Sequence, residues 1–264
     1  MPPRSLTIVL PAYNEEARLG PALDELFGYL RRGGRGRAGL PGPAELPHEI
    51  IVLVVDDGSG DATAGLVTAH AEVINAAGGP VLRLLKVPHG GTGAAVRAGV
   101  LAADTDMVVF ADADMATPPD QLPLLTRALV AHDIALGSRI QPDGRDMRRT
   151  QPGYRRALGR VFHFLASVWV VGPVQDTQCG FKGFAGPVGR DLFGLQRVTS
   201  IVFDVELIYL ARKRGYTMAI VPIEWSDRRG SRMRARPGLA LRVLWDLIRI
   251  PLIHRRLKPR PARA

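Results

Sequence analysis

Apolar residues in the first 140 positions gather in short unbroken runs: "SLTIVLPAY" from Ser5, "HEIIVLVV" from His48, "VLRLLKV" from Val81, "DMVVFADAD" from Asp106 and "DIALGSR" from Asp133. Each is rich in Val, Ile and Leu and bounded by Gly, Pro, Asn or Asp, which predicts strands. Between them the apolar positions recur at helical spacing. Leu19, Leu23, Leu26, Phe27 and Leu30 share one face of "NEEARLGPALDELFGYLRR". "ATAGLVTAHAEVINAA", with Asp61 placed to cap it, "AAVRAGVLAA" and "PDQLPLLTRALVA", opened by Pro118 and Pro119, predict three further helices. "GGRGRAGLPGP" reads as a loop. Strands that are apolar throughout, alternating with helices, predict an α/β fold with a mostly parallel sheet covered on both faces.

The second half is less regular. It offers an amphipathic helix in "YRRALGRVFHFLASVWVV", a turn and strand in "DTQCGFKGF" and a helix in "IVFDVELIYLARKRG" ending at Gly215. A strand in "YTMAIVPIEW" and a basic amphipathic helix, "GLALRVLWDLIRIPLIHRRLK", broken near Pro251, complete it. The division expected is one main domain over residues 1–236 and a membrane-proximal basic helix and tail over 237–264.

Open parallel sheets bind ligands beyond the carboxyl ends of their strands. The polar residues fall there: Tyr13 and Glu15, Asp56 and Asp57, the glycines after Val87, Asp112 and Asp114, and Arg139. Asp112 and Asp114 repel each other unless something positive lies between them. An Asp-x-Asp pair closing a buried strand suits Mg²⁺ or Mn²⁺, which take carboxylate and phosphate oxygens. "HGGTGAAVRAG" is a glycine turn entering a helix, a geometry that admits phosphates. Its glycines and Asp112 also resemble a dinucleotide fingerprint, but the third glycine position is Val96, the turn follows the third strand, and Asp57 and Asp114 find no role in that reading.

Charge narrows the partners. The net charge is +10, and from Asp227 onward there are twelve Lys or Arg and two acids, which leaves 23 of each sign before it. A neutral body with a basic end fits an anionic membrane face or a phosphorylated ligand; nucleic acid is not expected, because it leaves the polar strand ends unexplained. A single cysteine, Cys179, fits a reducing cytoplasmic setting and a core role. The N-terminal apolar run is short for a signal peptide, and the longest apolar stretch, 161–174, falls short of the roughly 20 residues that span a bilayer.

In their order along the chain, "LTIVLPAYNEE", "VVDDGSGDAT", "GGTGAAVRAG", "FADAD" and "GSR" resemble the family 2 inverting glycosyltransferases of GT-A fold. "DTQCGFKGF", "FDVELIYLARKRGY" and "VPIEWSDRRGSRMR" are similar to the dolichyl-phosphate β-glucosyltransferase branch, close to the polyprenyl-phosphate mannose synthases. The resemblance covers roughly residues 5–250. It implies a nucleotide sugar donor bound by Pro11, Ala12, Tyr13 and Glu15, with Asp57, or Asp56, on the uracil edge. Gly91, Gly93 and Arg97 would lie near the nucleotide. Asp112 and Asp114 would hold Mg²⁺ or Mn²⁺ and frame the sugar, Asp112 also touching the nucleotide. Arg139 would face the acceptor phosphate with Arg155 or Arg156. Asp176, Gln178 and Lys182 would line the sugar and acceptor side, and Asp204 and Glu206 match an acidic pair behind the site.

Two positions depart from the pattern. Ala116 stands where the mannose synthases place a Gln ligand, and Thr92 where the glucosyl branch usually has Lys. The implied reaction is inverting transfer of glucose from UDP-glucose to a polyprenyl or dolichyl phosphate, on the inner face of the cell membrane. An anionic phosphate nucleophile needs positioning rather than a strong base; a hydroxyl acceptor would need one, from Asp204 or Asp176. GDP-mannose or a UDP-N-acetylhexosamine is the alternative donor, and a nucleotide-sugar-binding protein without turnover the alternative of another class.

Overall fold

The structure, a computed structural model, describes residues 3–32, 42–147, 166–172, 174, 176–226 and 237–260. Its centre is a seven-stranded sheet in the order β3-β2-β1-β4-β6-β5-β7. The strands are β1 (Ser5–Ala12), β2 (Glu49–Asp56), β3 (Val81–Lys86), β4 (Met107–Ala111), β5 (Ile134–Ser138), β6 (Phe181–Ala185) and β7 (Met218–Pro222). β6 runs antiparallel to both its neighbours, and the other pairings are parallel. Strand order reverses between β1 and β4, so the crevice at the carboxyl end of such a sheet opens where Ala12 and Ala111 end.

Helices cover both faces. On one side α1 (Glu16–Arg31), α2 (Thr63–Ala76) and α4 (Leu122–Leu129) close a core with Leu6, Ile8 and Leu10. On the other, α3 (Thr92–Ala102), α5 (Gly186–Leu195), α6 (Phe203–Arg214) and α7 (Pro237–Ile253) pack over Val9, Val55 and Phe110. Alternate residues of β1 thus enter opposite cores, which is why its sequence is apolar at nearly every position. α3 sits closest to the sheet at Gly99, where an added Cβ would meet Val9 Cγ1 at 2.4 Å and Val55 Cγ2 at 2.8 Å.

Two loops that frame the crevice are bonded to each other. Asn14, at φ 54, bonds through its amide to Ser59 Oγ (2.9 Å), while its own Oδ1 accepts from Gly60 N (2.8 Å). Glu15 N donates to Thr63 Oγ1 (2.8 Å), and Ala62 N to Glu16 Oε2 (2.9 Å). Asp61, expected as the cap of α2, stands one position before the observed N-cap, Ala62, and accepts from Thr63 N and Glu16 N, so it serves the first turns of both α1 and α2.

Three expectations change. α5 was not anticipated, because Gly186, Pro187, Gly189 and Gly194 make it a poor helix by propensity; tertiary packing forms it, with Val188, Leu192 and Phe193 buried. α7 continues through Pro251 and ends after Ile253. Of the helix expected over 154–171, residues 154–165 lie outside the described residues, and Ser167–Val171 form a π-helical turn. No helix among the described residues is long and apolar enough to cross a membrane.

Gly99→Ala is expected to destabilise the protein by about 2 kcal/mol in urea unfolding: overpacking against two β-branched side chains costs about 1–3 kcal/mol and outweighs the gain of up to about 1 kcal/mol from helix propensity.

Candidate functional site

A cavity of about 210 Å³ lies at the strand-order reversal, lined by Pro11, Ala12, Tyr13, Glu15, Arg18, Asp57, Thr92, Ala95, Asp112, Ala113 and Asp114. Seven of these are residues the sequence singled out for the nucleotide and the metal. Ala12 ends β1 and Ala111 ends β4, so the loops leaving these neighbouring strands meet at the cavity.

The aspartate pair is set by a tight turn. Met115, at φ 51, donates its amide to Asp112 O (3.1 Å), and Ala116 N donates to Asp114 Oδ1 (3.1 Å). A non-glycine residue at positive φ is uncommon, and here it turns the chain back after the two carboxylates. Asp112 is anchored from the other side by its amide, which donates to Gly180 O just before β6 (3.1 Å). A Cβ at Gly180 would sit 2.3 Å from the Asp112 carboxylate, so only glycine lets β6 close this wall. Surrounding protein, then Asp114, pushes Asp112 up to about 7, even though its carboxylate is open to the cavity. Its oxygens accept no hydrogen bond from the described residues. Two hard carboxylates facing a cavity, one of them unpartnered, form a donor set that fits a divalent cation.

The glycine turn differs from its expected use. Gly90 N and Gly91 N donate to Asp57 Oδ1 and Oδ2 (2.8 and 2.9 Å), and His89 Nδ1 lies 2.9 Å from Asp57 Oδ2. Asp57 is buried at the cavity wall, and its carboxylate clamps the end of β2 to the turn. Gly93 N donates to Thr199 O (3.1 Å), and a Cβ there would lie 2.8 Å from Phe203 Cβ. The amides of Gly90, Gly91 and Gly93 are therefore engaged inside the protein. The turn still brings Thr92 and Ala95 to the cavity wall. Asp56, also buried, accepts from Ser59 N (3.0 Å). The rings of Tyr13 and His89, both exposed, stack with centroids 4.2 Å apart at the cavity mouth.

Arg97 points away from the cavity and donates to Phe193 O on α5 (2.9 Å). Behind the aspartate pair lies a buried ionic layer. Arg139 grips Asp176 with Nε (2.8 Å) and Nη2 (2.7 Å), and its backbone amide bonds to the same carboxylate. The Nε–Nη2 edge of Arg139 is thus taken by Asp176, and the guanidinium also lies 5.7 Å from the Trp225 ring centroid. Lys182, expected on the sugar side, is wholly buried and donates to Asp204 Oδ1 (2.8 Å) and Cys179 O (2.5 Å). Burial raises Asp204, opposed by Lys182. Burial also pushes the Cys179 thiol up to about 12, in keeping with a core role. Gln178 reaches Ile201 O (3.4 Å).

Glu206 is not near the cavity. It accepts from Arg197 N (3.0 Å), Val198 N (2.8 Å) and His254 Nε2 (2.6 Å), and so fastens the end of α7 to the segment before α6. Arg155 and Arg156 lie outside the described residues. The site residue missed in the sequence is Arg18. Its Nε and Nη2 bond to Glu15 (2.7 and 2.5 Å), and its Nη1 stands 3.5 Å from Asp114 Oδ2. Three-residue spacing to an acid was its only signal, and surface helices carry such pairs routinely.

The profile of Glycosyl transferase family 2 matches residues 7–185. A dolichyl-phosphate beta-glucosyltransferase of Trichomonas vaginalis is 36% identical over 256 residues, covering 94% of this chain and 71% of the relative. One of Drosophila melanogaster is 37% identical over 239 residues, covering 88% and 70%. Glucosyl-3-phosphoglycerate synthase of Mycobacterium tuberculosis, crystallised with Mn²⁺, UDP-glucose and phosphoglyceric acid, superposes with a TM-score of 0.62 at 22% identity, covering 97% of this chain and 81% of that one, and shares the fold. The family match extends from β1 through β6 and takes in every strand end that forms the cavity, and the relatives extend it along most of the remaining chain: this protein belongs to the family 2 glycosyltransferases.

Proposed function

We propose that the protein transfers glucose from UDP-glucose to a polyprenyl or dolichyl phosphate, with inversion at the sugar carbon. The observation that carries this is the aspartate pair at the β1–β4 reversal, backed by an ionic layer in which Asp176 and Asp204 are already engaged by Arg139 and Lys182. Both carboxylates that could serve a hydroxyl acceptor as base are thus committed to buried ion pairs. An acceptor that is already anionic, such as a lipid phosphate, needs no proton removed. The named activity of the Trichomonas and Drosophila relatives agrees.

In this reading the donor lies across the cavity, its base beside Tyr13 and its diphosphate toward Arg18 and the aspartate pair. Asp112 and Asp114 would hold Mg²⁺ or Mn²⁺, and bound there the ion supplies positive charge to the leaving diphosphate. Glycosyltransfer then depends on orientation. The Met115 turn and Gly180 fix Asp112 and Asp114, and Arg139, locked to Asp176, sets the floor against which sugar and acceptor align.

The acceptor implies a lipid surface. α7 buries Leu247 and Ile250 and leaves Leu244, Trp245, Ile248 and Leu252 exposed, with Arg242, Arg255 and Arg256 beside them. An apolar stripe flanked by arginines suits the interface of an anionic bilayer. Trp169 is also exposed, at 59%, on the π-helical turn that packs against α7. Peripheral docking of residues 237–260 on the cytoplasmic face of a membrane, with residues up to 236 as the catalytic body, accounts for this surface.

Purified protein with polyprenyl phosphate and Mn²⁺ is expected to move label into the organic phase from UDP-glucose, and not from GDP-mannose or UDP-N-acetylhexosamines. Asp114→Ala should lower the rate about 100-fold or more. Label from another donor would change the sugar; label from none would remove the lipid acceptor. At pH 8 the metal-free Asp112→Asn protein should melt above wild type, since a like-charge repulsion is gone, and Mn²⁺ should no longer raise its melting temperature. In sedimentation with anionic vesicles, Trp245→Ser with Ile248→Ser should weaken binding at least about tenfold, from the apolar burial lost; unchanged binding would remove α7 as the contact.

A further inference from the structure

Among the described charged residues that line the cavity, Glu15, Asp57, Asp112 and Asp114 are acidic and Arg18 alone is basic. A nucleoside diphosphate must enter this acidic setting. The usual backbone aid is reduced, because the amides of Gly90, Gly91 and Gly93 already serve Asp57 and Thr199. Thr92 adds no charge at the turn, and Ala116 adds no ligand beside the aspartates.

Arg18 is built to fill that gap. It lies in the first turns of α1, and Glu15, three residues earlier, holds Nε and Nη2 in a two-point grip. Both side chains are mostly shielded, at 22% and 15% exposure. The grip fixes the plane of the guanidinium and leaves Nη1 aimed across the cavity at Asp114. That contact, at 3.5 Å, is too long for a strong hydrogen bond. A phosphate oxygen could therefore take Nη1 without breaking the Glu15 pair, and a guanidinium suits phosphate better than an ammonium does.

We propose that Arg18 is a donor-positioning residue with two states: it counters the charge of Asp114 when the cavity holds no diphosphate, and it donates Nη1 to the donor diphosphate when one is bound. Glu15 is the tether that keeps it in place. This rests on the reading of the cavity as a nucleotide-sugar site, and it assigns the diphosphate a protein cation in addition to the metal.

The two states predict opposite signs for two binding constants in Arg18→Gln. Calorimetry of UDP in EDTA should show binding roughly tenfold weaker than wild type, the loss of one charged hydrogen bond. Titration of Mn²⁺ alone, followed by its paramagnetic resonance signal, should show tighter binding by up to about tenfold, since a positive charge near Asp114 is gone. Arg18→Lys should return the Mn²⁺ constant to near wild type while recovering UDP only in part. Both constants weakening together would mark a purely structural role and overturn the inference, as would neither moving. Wild-type protein that binds Mn²⁺ but no UDP would remove UDP as the donor, and Arg18 would then be judged on the Mn²⁺ constant alone. Wild-type protein that binds neither would overturn both readings.

Discussion

The buried carboxylate of Asp57 is the interaction on which the donor side of this glycosyltransferase depends. It stands just past the end of β2 and accepts from two consecutive glycine amides, while the Asp57 backbone carbonyl bonds to His89 Nδ1 (3.0 Å), so the end of β2, the turn after β3 and the start of α3 are tied together. A buried carboxylate is stable only when its lone pairs are satisfied, and backbone N–H groups do this without side-chain entropy. A Cβ at Gly93 would strike Phe203 and Thr199, so the turn also has to be glycine at the point where α3 meets the segment before α6.

The carboxylates near the site have different fates. Asp57, Asp176, Asp204 and Glu206 are all buried and all engaged from within: Asp57 by amides, Asp176 by Arg139, Asp204 by Lys182, and Glu206 by two amides and His254. Among the described residues Asp112 is left unpartnered, and Asp114 has only the long contact to Arg18 and one amide. The protein thus satisfies its structural acids fully and leaves two at the cavity in want of positive charge. That difference, more than the count of acidic residues, separates scaffold from site.

Much of this was legible in the sequence where the signal was local. Each continuous apolar run in the first 140 residues became a strand, and the aspartate pair, Tyr13 and Glu15 line the cavity because strand ends in a parallel sheet converge there. What was not legible is direction. Arg97, Lys182 and Glu206 carry suitable chemistry at suitable positions, but Arg97 turns toward α5, Lys182 sits in the middle of β6 between two other strands, and Glu206 faces α7. A motif names residues without stating which way their side chains point. α5 was hidden because its glycines lower helix propensity while permitting close packing, and Arg18 because its pairing with Glu15 looks like any surface pair.

Residues 197–200 receive connections from two sides. Glu206 binds the amides of Arg197 and Val198 and is itself held by His254 at the end of α7, Ser200 bonds to Asp246 within α7, and Thr199 O accepts the Gly93 amide in the first turn of α3. This four-residue bracket therefore behaves as a strut between the exposed apolar stripe and the donor cavity. A displacement of α7 therefore either stretches its two bonds to this bracket, at Glu206 and Ser200, or pulls on the first turn of α3, so the protein's outer face and the wall of its donor pocket are tied to the same four residues.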